Sequence, residues 1–301
     1  MRIIIDCDPG LGEKFSLADV DDGLALLFML NQPEIYEIEG ITIIYGNTRA
    51  KTGYELLENY LELTNNQKIP HYLGSTSNED LGKENEASKF LISQAKENPK
   101  ELILLTLGPL TNIATAIVDY PDFLDDLKQI IFMGGLINPL PLFNFEADYK
   151  VETSEFNFRN DPFATKHFIE AETSTPRIGV GLDVCCQVVF NRNHYEKLKS
   201  YNTVITKFIT ENILNWLIHW EKNVSKGFYP FDTLVPIYLI RPELFKIVDF
   251  QLEVDIEAIP GKITVLDKIQ NKLKTVKYCM DFTSEQNKKE FLNTLINGLA
   301  I

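Results

Sequence analysis

Short apolar runs recur along the chain, and each is followed by turn residues and then by a helical pattern. They are rich in Ile, Val and Leu and cover residues 2–5, 40–45, 101–107, 129–133 and 177–182. Strands that are apolar on both faces are typical of parallel sheets, because the connecting helices cover both faces. The alternation therefore predicts an α/β fold, with an open, mostly parallel sheet and helices on both faces.

The helical patterns follow the apolar runs until the C-terminal part of the chain. They lie at 22–30, 50–64, 88–97, 112–118, 162–172 and 203–222. From residue 250 the pattern favours strands at 253–256, 262–266 and 275–280, closed by a helix at 284–299. No repeat or low-complexity linker divides the 301 residues. We therefore expect one domain over residues 1–301, with a β-rich C-terminal extension.

The balance of charges excludes several classes of partner. The chain has 29 Lys and Arg against 43 Asp and Glu, and its net charge of −14 repels phosphate backbones and anionic membranes. It has no apolar stretch long enough to span a membrane, and it opens on a strand-like run instead of a signal peptide. Its four cysteines lack the paired spacing of a zinc site. We expect a cytoplasmic protein that binds neither nucleic acid nor membranes.

Acidic side chains gather where the first strand and the first helix meet. Asp6 and Asp8 follow the first apolar run, and Asp21 and Asp22 precede the first helix. Ligands of open α/β sheets bind at the carboxyl ends of the strands, where four bare carboxylates would repel one another. A bound cation would resolve this, and oxygen donors without His or Cys favour a hard ion, Ca²⁺ or Mg²⁺. Asp21 and Asp22 can instead cap the helix, but this explains neither Asp6 nor Asp8.

The segment from Asp6 to Gly10, with Asp21-Asp22 after it, resembles the DxDPGxDD signature of the inosine-uridine-preferring nucleoside hydrolase family. Later segments resemble family motifs in the same order; they lie at 45–47, 107–112, 132–135, 155–157, 161–162, 181–183 and 231–232. The resemblance implies the nucleoside hydrolase fold and hydrolysis of the N-glycosidic bond of ribonucleosides, as in nucleoside salvage. It also implies a small-molecule nucleoside substrate and a homo-oligomer, either a dimer or a tetramer.

The resemblance further implies a Ca²⁺ site. Its ligands would be Asp8, Asp22, Asp232 and the main-chain oxygen of Leu107, with Asp6 behind them. Asp8 would also take a proton from the water that attacks C1′ of the ribose. Breaking an N-glycosidic bond develops positive charge on the ribose, which the surrounding carboxylates would stabilise.

The same resemblance assigns residues to the substrate. The 2′-hydroxyl would contact Asp21 and Asn47, the 3′-hydroxyl Asn157 and Asp232, and the 5′-hydroxyl Glu155. Further contacts with the nucleoside are expected from Met133, Trp216, Trp220 and Phe231. The ribose hydroxyls are fixed points by which such a site orients the bond that breaks.

The chain departs from the family pattern beside the expected metal site. The family has one residue between Pro-Gly and Asp-Asp, whereas residues 11–20 intervene here. This insertion is either a surface bulge or, as we favour, a flap over the ribose, since both of its ends adjoin expected metal ligands. A rival alignment puts Asp19 in the place of Asp21. The segment before Glu155 is also longer than usual, so either Asn138 or Asn144 can match a family Asn.

A second departure concerns the base. Phe231 stands where members that prefer inosine and uridine carry a proton-donating His and where purine-restricted members carry an aromatic residue. Trp216 and Trp220 lie four residues apart on the long helix, so they share one face. We expect these rings to stack on the base and to favour purines, with core packing as the alternative for the tryptophans. Glu13, in the insertion, is the open alternative as a proton donor.

Two other functions compete with hydrolysis of nucleosides. A haloacid-dehalogenase-type phosphatase also begins with a strand and DxD and uses Mg²⁺. It normally has Thr or Val where this chain has Gly10, and it leaves Asn47 and Glu155 without a role. The other alternative is a nucleoside-binding protein that has kept the metal and ribose residues but lost turnover. Release of free ribose distinguishes a hydrolase from both.

Overall fold

The apolar runs of the sequence form strands in the computed structural model, which describes residues 1–14, 17–138, 140–141, 151–152 and 154–301. In chain order the strands are β1 (Arg2–Cys7), β2 (Glu37–Ile43), β3 (His71–Leu73), β4 (Ile103–Thr106), β5 (Gln129–Met133), β6 (Leu140–Pro141), β7 (Val151–Glu152), β8 (Arg177–Val180), β9 (Phe190–Asn191), β10 (Gly227–Phe228), β11 (Phe245–Val254), β12 (Ile263–Val265) and β13 (Thr275–Phe282).

Nine of these described strands form one sheet, in the order β12-β11-β13-β8-β5-β4-β1-β2-β3. β1 pairs in parallel with β2 and β4, and β8 pairs in parallel with β5 and β13. At the C-terminal edge the pairing becomes antiparallel, between β13 and β11 and between β11 and β12. The β-rich C-terminal segment therefore extends the parallel sheet, and the carboxyl ends of its parallel strands share one edge.

Helices cover both faces of the sheet. They are α1 (Asp21–Leu30), α2 (Ala50–Leu63), α3 (Glu86–Glu97), α4 (Thr111–Asp119), α5 (Phe156–Asn160), α6 (Pro162–Ile169), α7 (Leu182–Cys185), α8 (Arg192–Ser200), α9 (Val204–Asn223), α10 (Leu234–Ile240) and α11 (Glu285–Leu299). Ile3 and Ile5 of β1 pack into the core on one face with α1, α2 and α9. Ile4 packs into the other with α3, α4 and α6, because successive side chains of a strand point to opposite faces.

The predicted α/β architecture is confirmed, but some boundaries are wrong. β1 continues to Cys7, because Asp6 and Cys7 still pair with β2. The helix predicted at 162–172 ends at Ile169. The strand predicted at 253–256 is β11, which begins at Phe245; residues 246–249 are exposed, so the sequence there shows no alternation of apolar and polar residues.

The short helices α5 and α7 are not predicted by the pattern of apolar residues. α5 and α7 have five and four residues, too few for a helical period to be visible. α8 is longer and begins with a capping box between Asn191 and His194, a signal that the sequence does carry. Among the described residues, no helix has both the length and the apolar character needed to cross a membrane.

Candidate active site

A pocket of about 540 Å³ opens at the carboxyl ends of β1, β2, β4 and β5. This volume is ordinary for a small-molecule site. It is lined by twelve residues that the sequence analysis selects, namely Asp8, Asp21, Asp22, Asn47, Leu107, Met133, Glu155, Asn157, Trp216, Trp220, Phe231 and Asp232. Asp6 is not part of the lining. The fold thus brings the selected residues, which are widely separated in sequence, to one cavity.

The lining also contains Asp19, which the rival alignment puts in the place of Asp21; the pocket contains both. Four further lining residues have no role predicted from the sequence, namely Leu17, Phe156, Arg159 and Leu182. Leu17 and Asp19 belong to the insertion 11–20, so its described part forms one wall of the pocket, and its role as a flap stays a prediction. Phe156 lies inside the motif at 155–157, and that position is the signal that could have selected it. Leu17, Phe156 and Arg159 are exposed and lie at the mouth.

Three buried carboxylates of the pocket lie close enough to share one cation. Asp21, Asp22 and Asp232 each offer an oxygen, and these oxygens lie within 4.8 Å of one another. Asp8 adjoins them, since its N–H donates to Oδ1 of Asp22 at 3.1 Å. Asp21 is expected to contact only the ribose, so its position within this trio differs from the prediction. In the described part of the chain, no other group of His, Cys, Asp and Glu has this geometry.

Separate elements supply these carboxylates. Asp21 and Asp22 begin α1, where the helix N-terminus favours negative charge, yet the residue that precedes them, Val20, makes no side-chain cap. Asp232 lies in the 3₁₀ turn Phe231–Thr233, which packs against α1. Asp8 fits between two glycines, because a Cβ on Gly46 or Gly108 would collide with its carboxylate. The geometry therefore depends on backbone contacts as well as on the acids themselves.

Burial raises the pKa values of the carboxyl groups in the pocket, and their mutual repulsion adds to the shifts. Burial raises the pKa of Asp22 to about 7, and the charge of Asp21 acts in the same direction. Burial also raises the pKa of Asp8 and Asp232 well above the ordinary range, and neighbouring carboxylates add to both shifts. Oδ1 of Asp232 is buried without a hydrogen-bond partner among the described residues. Oxygen donors in this state are suited to a hard divalent cation.

Hydrogen bonds fix the polar wall opposite this trio. Nδ2 of Asn157 donates to the main-chain oxygen of Leu107 at 2.6 Å and to that of Met133 at 3.4 Å. The carboxylate of Glu155 caps α5; it accepts from the N–H groups of Asn157 at 2.7 Å, Phe158 at 3.0 Å and Gly135 at 3.2 Å. Burial raises the pKa of Glu155, and these three bonds oppose the shift. Glu155 therefore holds a helix as well as facing the pocket.

Asn47 is held by the insertion. Its Nδ2 donates to the main-chain oxygen of Asp19 at 2.9 Å, and its Oδ1 accepts from the Asp19 N–H at 2.8 Å. Its own N–H donates to Oδ2 of Asp8 at 2.5 Å. Both ends of the Asn47 amide are thus engaged, and a ribose hydroxyl would have to use the second donor or lone pair that each atom retains.

Asp6 lies beneath the pocket. It is fully buried, and its Oδ1 accepts from the Thr42 hydroxyl at 2.5 Å and from Nδ2 of Asn112 at 2.8 Å. Its Oδ2 has no partner within the described residues, and burial raises the pKa of Asp6 to about 7. Since Asn112 belongs to the motif at 107–112, this contact ties two of the sequence motifs together under the site.

The other end of the pocket is aromatic. The rings of Trp216 and Trp220 meet edge to face at 6.0 Å, and Tyr229 lies between Trp220 and Phe231, at 5.3 Å and 5.8 Å. Both tryptophans belong to the core and line the pocket as well, so the two interpretations of them hold together. Glu13 is not among the described lining residues, and the aromatic residues that the described chain places there, Trp216, Trp220 and Phe231, carry no acidic side chain.

Asn138 and Asn144 are the two residues that can match the Asn before the 155–157 motif of the family, and only Asn138 lies within the described residues. The N–H and Nδ2 of Asn138 both donate to Oδ1 of Asp183 at 2.9 Å, and Asn138 does not line the pocket. Asn144 lies outside the described residues.

Comparisons with known proteins agree with this geometry. The family model described as inosine-uridine preferring nucleoside hydrolase matches residues 3–289. The probable uridine nucleosidase 2 of Arabidopsis thaliana is 27% identical over 88% of this chain and 85% of its own length. The pyrimidine-specific ribonucleoside hydrolase RihA of Shewanella oneidensis is 24% identical, over 99% and 96%. A purine-preferring ribonucleoside hydrolase from Gardnerella vaginalis has the same fold, with a TM-score of 0.83 and 23% identity over 100% and 99%.

Proposed function

The chain belongs to the inosine-uridine preferring nucleoside hydrolase family, and on that premise we propose that it is a Ca²⁺-dependent hydrolase of ribonucleosides, with a preference for purines. The products would be ribose and the free base. The observation that carries the proposal is the convergence of Asp8, Asp21, Asp22 and Asp232 in a pocket of nucleoside size. The phosphatase alternative is incompatible with a family match that covers nearly the whole chain.

The donor set fits Ca²⁺. The proposed ligands are Asp8, Asp22, Asp232 and the main-chain oxygen of Leu107, and the position of Asp21 makes it a further oxygen donor within reach. Only hard oxygen ligands are offered, and Oδ1 of Asp232 is buried without a partner in the described chain. When bound, the ion would hold a water and make it a stronger nucleophile.

The residues of the acidic end would act on the ribose. Asp8, which the Asn47 N–H holds in place, would accept a proton from the attacking water. Asp21, Asn157 and Asp232 would orient the ribose through its 2′- and 3′-hydroxyls, and Glu155 through its 5′-hydroxyl. The carboxylates would also stabilise the positive charge that develops as the bond to the base breaks.

The aromatic end would receive the base. Phe231, Trp216 and Trp220 offer π surfaces and no proton donor, which supports stacking and hence the larger purine ring system. Uridine is the second candidate substrate, favoured by the names of relatives such as the uridine nucleosidase of Arabidopsis thaliana. We propose a single domain over residues 1–301, acting as a cytoplasmic homo-oligomer.

The experiment that tests the function is an assay of free ribose from inosine, adenosine, guanosine and uridine with Ca²⁺ present. Equal release of ribose and base, fastest with a purine, is expected. Binding of nucleosides without any release of ribose would favour the alternative of an impaired binding protein, and a faster reaction with uridine would overturn the purine preference.

A further inference from the structure

We propose that Asp19 is a further ribose-binding residue and determines specificity for the 2′-hydroxyl. The proposal rests on the proposed function, because it concerns the same pocket and the same substrate class. Asp19 belongs to the insertion 11–20, and it lines the pocket beside Asp21 and Asn47. The insertion is thereby part of the substrate site.

The main chain of Asp19 is held in place by Asn47 and by its close approach to Gly10. The Asn47 amide makes two reciprocal hydrogen bonds with the main chain of Asp19, of 2.8 and 2.9 Å. A Cβ on Gly10 would lie 2.5 Å from the main-chain oxygen of Asp19 and 2.6 Å from Nδ2 of Asn47, so only glycine allows this approach. The end of the insertion is thus anchored from two sides, and its last acid has a fixed position.

The Asp19 side chain bonds to the main chain of the insertion. One oxygen, Oδ1, accepts from the Val20 N–H at 2.7 Å, and Asp19 lines the pocket together with Asp21. Asp21 in turn adjoins Asp232 in the carboxylate trio. Asp19 lies next to the trio without belonging to it. A metal ion bound by the trio would therefore leave the Asp19 carboxylate free to contact the substrate.

The position of Asp19 suits a ligand that carries hydroxyl groups. The Asn47 amide holds the Asp19 main chain and keeps one lone pair on Oδ1, so the charged acceptors beside it for a hydroxyl are the carboxylates of Asp19 and Asp21. A hydroxyl group can donate to a carboxylate, and charge-assisted bonds of this kind are the strong ones. Asp19, Asp21 and Asp232 form a row of carboxylates that suits a vicinal diol such as the 2′- and 3′-hydroxyls of ribose. The 2′-hydroxyl would lie beside Asp19.

The test compares ribose and 2-deoxyribose substrates. Asp19→Asn keeps Oδ1 for the Val20 N–H and leaves the main chain unchanged, so it removes charge without removing the anchor. We expect kcat/KM for inosine to fall about ten- to a hundredfold, and that for 2′-deoxyinosine to change little. Asp119→Asn is the matched control, because Asp119 is exposed at the end of α4 and does not line the pocket; both substrates should keep their rates.

An equal fall for both substrates would mean that Asp19 only supports the fold, and no fall would remove it from the site; either result overturns the proposal. Calorimetric titration with ribose and 2-deoxyribose supplies a measurement that needs no turnover. Wild type should bind ribose more tightly than 2-deoxyribose, and Asp19→Asn should reduce that difference, because Asp21 and Asn47 remain. A protein that shows this difference but releases no ribose from nucleosides would contradict the proposed function and leave the assignment of Asp19 standing.

Discussion

The acidic and aromatic ends of the pocket are built differently. At the acidic end, main-chain groups fix the acids: Asp8 is held by the Asn47 N–H, and Glu155 by three N–H groups. At the aromatic end, the ring of Trp216 contacts Trp220, and Tyr229 contacts both Trp220 and Phe231. Directional bonds specify one arrangement, whereas ring packing tolerates several. The acidic end is therefore suited to fixed chemistry on ribose, and the aromatic end to a base that can differ between relatives.

The largest expected effect comes from removing a carboxylate at the acidic end. Asp8→Ala and Asp232→Ala should each lose most of the bound Ca²⁺, since each takes away a proposed ligand, and kcat/KM for any nucleoside should fall about 10²–10⁴-fold. Metal analysis of the purified variants, together with the ribose assay, measures both quantities. Asp122→Ala, which removes an exposed carboxylate outside the pocket, is the control. Zinc in the wild type, or full occupancy by Ca²⁺ in both variants, would contradict the assignment.

The pH dependence of stability should also reveal the acidic end. Folding raises the pKa of Asp22 from 3.8 to about 7, so the metal-free protein takes up a proton on folding. That contribution to stability is fully present below the lower value and is lost as pH rises through the higher one. Ca²⁺ replaces the proton, so the gain in Tm on adding Ca²⁺ to chelated protein should grow by several degrees between about pH 5 and about pH 8. Scanning calorimetry measures it, and a gain independent of pH would argue against a site among these acids.

A smaller effect is expected from the residues that would contact ribose without binding the ion. Asn47→Ala and Glu155→Ala should keep their Ca²⁺ while kcat/KM falls about ten- to a hundredfold. Glu155→Ala should also lower stability by about 0.5–2 kcal/mol, because it removes the cap of α5. Chemical denaturation separates that loss from the loss of activity. Loss of metal in either variant would move the residue from the ribose to the ion.

The smallest effect is expected at the aromatic end. Phe231→Ala should weaken the contact with a purine by about 0.5–1.5 kcal/mol, which lowers kcat/KM for inosine about two- to tenfold. Phe163→Ala, at an exposed ring that does not line the pocket, should change nothing. Measurements with inosine and uridine decide between substrates. A wild type that prefers uridine, or a Phe231→Ala enzyme unchanged towards both, would reject stacking and leave the acidic end untouched.

The two ends also differ in how far the sequence predicts them. Asp8, Asn47 and Leu107 follow β1, β2 and β4, whose carboxyl ends share one edge, so the parallel sheet predicts their convergence. Asp232, Glu155 and Asn157 do not follow strands of that sheet; the resemblance to family motifs selects them, and the pocket contains them as well. The contacts between Asn47 and Asp19 escape such reasoning, because they depend on the path of an insertion that has no apolar pattern. The strand β11 escapes it for the related reason that residues 246–249 are exposed.

The aromatic end shows where spacing is ambiguous. Trp216 and Trp220 share one helix face, and that face both packs into the core and borders the pocket. Helical periodicity shows that the two rings share one face of the helix. It does not show whether that face packs against core side chains or against a ligand, because both can cover an aromatic ring. The exclusion of Glu13 from the described lining likewise required the fold, because Glu13 lies in no motif.

The most direct test of this division is kcat/KM for inosine and for uridine in Ca²⁺-loaded, chelated and Ca²⁺-restored enzyme. If the acidic end acts on ribose whatever the base, chelation should lower both values by the same large factor, and Ca²⁺ should restore both. Turnover of either nucleoside that survives complete removal of the metal would contradict the account.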